Sequence, residues 1–181
     1  MTLVHVSGPA TLPVSVPEVR QHLRVDTEEE DFTIEGYIRA ALMHVERLTG
    51  VAFETQTWRW YGDEFPSDGE ICLGLGPVTA VTTVAYLDAE GADQELDPGE
   101  YRVDTVSQVG RVILAGSAWP STNAVENAVW VEFTAGRAVT PADVQHAIKL
   151  MVASMYEDRS SGGELMDAAL RIVASYRRVT V

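Results

Sequence analysis

Between Ile38 and Pro77 the hydrophobic period of the chain changes from that of a helix to that of a strand, and the change falls at a glycine. Before it, Ile34, Ile38, Ala41, Val45 and Leu48 recur at intervals of four and three, the spacing of one helix face. After it, Thr57, Arg59 and Tyr61 alternate with Trp58 and Trp60, as the two faces of a strand do. Gly50 stands between them, where a left-handed residue ends a helix at least cost. No single regular element can contain this run, so the chain must combine a helical part with a sheet part.

The flanking sequence extends both parts. Residues 1–13, with Gly8, Pro9 and Pro13, read as an extended arm with little to bury alone, a candidate for ordering on assembly. Ser15-Val-Pro-Glu18 is a capping box, and Thr27 to Glu30 offers a second one, so two amphipathic helices are expected before Gly50. Strands are expected at Glu70 to Leu75, Val78 to Leu87, Tyr101 to Asp104, Arg111 to Leu114 and Ala128 to Thr134, divided by turn-forming clusters such as Pro66-Ser-Asp-Gly69 and Asp97-Pro-Gly99. Without helical crossovers between them, these strands predict an antiparallel sheet. Thr140-Pro-Ala-Asp143 then opens a helix as N-cap, first-turn proline and acid. Ser160-Ser-Gly-Gly163 breaks it, and Leu165 to Tyr176 forms a last helix.

The expected fold class is therefore α+β: a discontinuous helical bundle of two N-terminal and two C-terminal helices, with a small antiparallel β module inserted. The corresponding division is 1–50 for the arm and first helices, 51–139 for the β module, and 140–181 for the last helices and tail.

Charge narrows the function. The net charge is −14, and the excess is concentrated in Val51 to Val139, which has 4 basic and 14 acidic residues. Nucleic-acid grip depends on Lys and Arg contacts to phosphate, so this chain should repel DNA. One cysteine permits no internal disulfide, which points to intracellular folding, and neither a leader pattern nor an apolar run of membrane-spanning length is present.

No catalytic, metal or cofactor site is expected. His5, His22, His44 and His146 are scattered, without metal-ligand spacing to one another or to Cys72. The glycines of Gly74-Leu-Gly76 and residues 160–163 match no phosphate-loop pattern and read as turns. Cys72, lacking a basic neighbour in sequence, reads as a small buried apolar side chain. The acids from Asp26 to Asp31 complement a helix start. Trp58 and Trp60 read as packing anchors, although a ligand pocket beside them is the alternative.

Taken in order, LPVSVPEVRQHLRVD, EGYIRAALMHVERLTG, ETQTWRWYGDEFP, LGLGPVTAVTTVAYLDAEG, GEYRVD, AWP, VWVEFTAGRAVTPADVQHAIKLMVASMYEDR and a closing SYR resemble the head-tail connector, or adaptor, proteins of long-tailed bacteriophages and related gene transfer agents. The resemblance covers nearly the whole chain, and its specificity lies in the order of weak landmarks. It implies a non-enzymatic virion protein, made in the host cytoplasm, that forms a homo-oligomeric ring, typically twelve-fold, under the portal protein. Such a ring extends the DNA channel without binding DNA specifically, and docks the next neck component, a stopper or head-completion protein. The resemblance places portal contacts on Tyr176, Arg177, Arg178, Val179, Thr180 and Val181. Family members often carry a proline-bearing linker where this chain has residues 160–163. The alternatives are another neck or head-completion protein of the virion, and a small ligand-binding domain or hydrolase.

Overall fold

The computed structural model describes residues 2–157 and 163–177. It is α+β, with two compact units: Met1–Ala10 with Thr55–Gly136, and Thr11–Glu54 with Arg137–Val181.

The helical unit grows from well-marked helix ends. Ser15 caps α1 (Val16–Leu23) through the expected box: the Glu18 N–H donates to Ser15 Oγ, and Glu18 Oε2 accepts from the Ser15 N–H at 2.9 Å. In α2 (Asp31–Thr49), Gly50 takes φ 68° and its N–H donates to Glu46 O at 2.8 Å, the left-handed stop expected of it. The second box does not form. Glu30 is the N-cap and its side chain makes no cap bond, while Glu28 and Asp31 are instead paired with Arg20 of α1 at 3.3 and 3.1 Å. α3 (Ala142–Glu157) packs against α1, α2 and α4 (Glu164–Val173), and Ala174–Tyr176 continues α4 as a 3-10 turn. Ile34, Ile38, Val45, Phe53, Ile148 and Met151 lie in one core and are fully buried. Burial of such side chains contributes roughly 1.5–3 kcal/mol each, which is why this face dictates the packing.

The sheet unit contains two antiparallel sheets. β1 (Thr2–Ser7), β2 (Gln56–Gly62), β8 (Val129–Ala135), β4 (Val78–Leu87) and β5 (Asp93–Glu95) form the larger in that spatial order, and β3 (Glu70–Cys72), β7 (Arg111–Leu114) and β6 (Tyr101–Asp104) form the smaller. Trp58 lies opposite Phe133 and Trp60 opposite Val131, so the tryptophan face of β2 coincides with the fully buried face of β8, which holds Val129, Val131, Phe133 and Ala135. On the other face Arg59 meets Glu132 at 2.6 Å. At Gly110, which follows β6 and precedes β7, a Cβ atom would stand 2.3 Å from Val78 Cγ2; only glycine lets that backbone approach β4 so closely.

Two elements differ from the sequence reading. The arm expected to order on assembly already pairs with β2 as an edge strand, from Thr2 opposite Tyr61 to Ser7 opposite Thr57, and as far as Ala10 it belongs to the sheet unit. Its alternation is faint because its outer residues Val4 and Val6 are themselves apolar. β5 was unforeseen, since Asp93-Gln-Glu95 is fully exposed and has no buried face to give a signal.

Candidate assembly surfaces

Cys72 is exposed, against the expectation of burial. The alternation of β3 decides it: Ile71 is turned inward and fully buried, so its neighbour points out. Trp60 is 4% exposed and Trp58 is half-buried with its ring 4.6 Å from that of His5. Among the described residues, cavities of about 340 Å3 in the sheet unit include one at Trp119 and one at Asp63–Glu64, and neither of these is lined by Trp58 or Trp60. In one, Tyr86, Leu96, Leu114 and Trp119 surround a single carboxylate, Glu100. No histidine lines it. Among the described residues no three His, Cys, Asp or Glu side chains are placed to hold a metal ion. Nor is any helix among them long and apolar enough to cross a membrane.

The last described residues show how the tail leaves the helical unit. Tyr176 sets its ring edge-on against Phe53, with centroids 5.5 Å apart, and its hydroxyl lies 2.9 Å from both carboxylate oxygens of Asp143 on α3. Burial first, and then the Asp143 carboxylate, push the Tyr176 phenol above its usual pKa. Of the six residues expected to meet the portal, Tyr176 is thus engaged within its own chain, and Arg177 beside it is exposed. Arg178, Val179, Thr180 and Val181 lie outside the described residues.

A residue that sequence reading missed lies next in the chain to Phe53, on which Tyr176 packs. Glu54 is 7% exposed; Thr11 Oγ1 donates to its Oε2 at 3.0 Å, and the Thr140 hydroxyl donates to its Oε1 at 2.5 Å. Thr11, Glu54 and Thr140 sit at or near the three places where the chain passes between units. One buried carboxylate therefore ties together, on the helical side, the entrances and exits of the chain. Thr140 also meets the start of α3, where its carbonyl accepts from the Gln145 side chain at 3.0 Å. No local pattern could have shown the two bonds to Glu54, because the partners are 43 and 86 residues apart.

The electrostatics leave the acidic excess uncompensated. Arg20, Arg39, Arg59, Arg111 and Lys149 each face a carboxylate of the same chain within 4 Å. Cations already paired in this way are poor collectors of phosphate.

The sequence profile of the family described as Head completion protein matches residues 14–166. No curated protein sequence matches the chain. Among solved structures, a chain in the neck of an empty GTA particle computed with C6 symmetry is similar with a TM-score of 0.84 and 26% identity, over 100% of this chain and 97% of that one. A chain in the virion of a native gene transfer agent particle gives 0.84 and 27%, with the same coverage. A chain in the neck of the native particle, computed with C12 symmetry, gives 0.81 and 26%, again over 100% and 97%.

Proposed function

The chain belongs to the head completion protein family, and from that premise we propose that it is a structural component of the neck of a phage or gene transfer agent particle. The observation that carries this reading is the likeness, along the full length of the chain, to proteins of the gene transfer agent neck. In detail, the protein forms a cyclic ring, twelve-fold in the leading reading, beneath the portal. It prolongs the DNA channel, receives the next neck component, and performs no catalysis. It enters the virion after folding in the host cytoplasm.

The charge supports a conduit role. A wall that DNA must pass should repel it, and a chain of net charge −14, five of whose cations already face carboxylates of their own chain, does so. The tail supports docking onto the portal: Tyr176 fixes its root by Asp143 and Phe53, and Arg177 beside it is exposed. The test is a pull-down on purified portal with residues 177–181 deleted, which spares Tyr176 and its anchor. Loss of portal binding with an unchanged melting profile is expected. Binding at full strength would remove the tail from the portal contact.

The family description favours a second placement, one layer further from the portal as a head-completion protein. Electron microscopy of the assembled neck separates the two.

A further inference from the structure

The α2 helix buries one face in the core, and the opposite face carries two large apolar side chains, Phe32 and Met43, in the open. Ile34, Ile38, Ala41, Leu42 and Val45 enter the core. On the opposite side, Phe32, Gly36, Arg39, Ala40, Met43 and Arg47 are all exposed and fall, at 3.6 residues per turn, within an arc of about 100°. Phe32 is 90% exposed and Met43 67%. Between these two protruding side chains lies a saddle of small residues; a Cβ at Gly36 would meet nothing within 4 Å. A phenylalanine left this bare on a helix that is otherwise well packed marks a surface that awaits a partner.

The stripe is complementary to itself. Laid antiparallel on a second α2, it sets Phe32 opposite Arg47, Met43 opposite Gly36, and Arg39 beside Ala40 at the two-fold axis. Each pairing has a physical basis. The Phe32 ring receives a guanidinium on its face. The flexible Met43 side chain fills the notch above Gly36. Gly36 and Ala40 let the axes approach to the short end of the 8–10 Å range of helix pairs. Charge agrees: Arg47 of the second copy arrives beside Glu29 in the acidic turn that leads into α2, where Glu28 already faces Arg20 of its own chain. Arg39, which meets its own copy near the axis, is already neutralised by Glu35 on the same helix at 2.8 Å.

We propose that this face of α2 pairs two copies of the chain in solution, as an antiparallel, two-fold symmetric dimer centred on Arg39 and Ala40. The contact is isologous and closes on itself, whereas neighbours in a cyclic ring meet through heterologous contacts. It is a property of the free chain and stands whether or not the ring reading does. One helix pair falls at the small end of interface sizes, below about 1,200 Å2, so the dimer is weak and reversible.

Sedimentation equilibrium of the free full-length chain, from about 10 μM to 1 mM, tests this over a range of binding free energy suited to a weak dimer. A monomer–dimer equilibrium is expected. Gly36→Leu fills the notch and Phe32→Arg opposes Arg47; both positions are open in the single chain, so melting should not fall while the dimer Kd rises at least about tenfold. Adding Arg47→Glu to Phe32→Arg should restore the dimer by reversing the repulsion. A chain that stays monomeric throughout the range overturns the proposal. So does any oligomer, dimeric or ring-like, that Gly36→Leu and Phe32→Arg leave unchanged.

Discussion

At the scale of single residues, the tail root and the chain crossings depend on groups whose value comes from their partners. Tyr176→Phe keeps the edge contact with Phe53 but loses the hydroxyl at Asp143, which should cost about 0.5–1.5 kcal/mol in urea unfolding near neutral pH. The pH dependence has a definite sign. The folded chain holds the phenol in its neutral form, so its pKa is raised. The stabilisation is therefore complete below the ordinary tyrosine pKa of about 10 and fades as pH rises through the higher folded value. The difference between wild type and Tyr176→Phe should shrink in that alkaline window; a difference that grew there would contradict the assignment. Cys72 and Glu54 show the limits of residue-by-residue reading. An alternating three-residue strand puts the cysteine outside, and a buried acid is legible only when its distant threonines are in place.

At the scale of elements, helix ends that close locally were readable and those that borrow a distant partner were not. Ser15 and Glu18 form their box within four residues, and Gly50 needs only its own backbone. Ser15→Ala should lower stability by about 1 kcal/mol. The Glu18 carboxyl is held below its usual pKa, chiefly by the Ser15 N–H, then by the Ser15 hydroxyl and Lys149. A depressed acid stabilises the fold above its unfolded pKa of about 4.3 and loses that effect as pH falls through the folded value. The Ser15→Ala deficit, read from thermal melts, should thus be present at pH 7 and diminish in acid. By contrast, the Thr27 to Glu30 box does not form: the Glu30 carboxylate accepts from the Tyr156 hydroxyl of α3, and Arg20 of α1 pairs with the neighbouring Glu28 and Asp31. The same distinction explains the strands. Those with one buried and one exposed face, β2 and β8 above all, announce themselves by alternation, while β1 and the wholly exposed β5 lack the contrast that burial imposes.

At the scale of the molecule, the chain visits the sheet unit twice and the helical unit twice, and the family resemblance carried by the order of the landmarks agrees with the profile match over residues 14–166. What composition contributed was exclusion: an acidic chain of this kind is unsuited to gripping DNA. It could not say where in a particle the protein sits, because position is set by partner surfaces, and several of the tail residues assigned to one of them lie outside the described residues. The most direct test of the neck reading is electron microscopy of the assembled particle with this protein's density identified. The account expects the chain in a cyclic ring directly against the portal, its C-terminal residues reaching the portal surface. A ring one layer outward would contradict the connector placement, and absence of the protein from the neck would contradict the structural role itself.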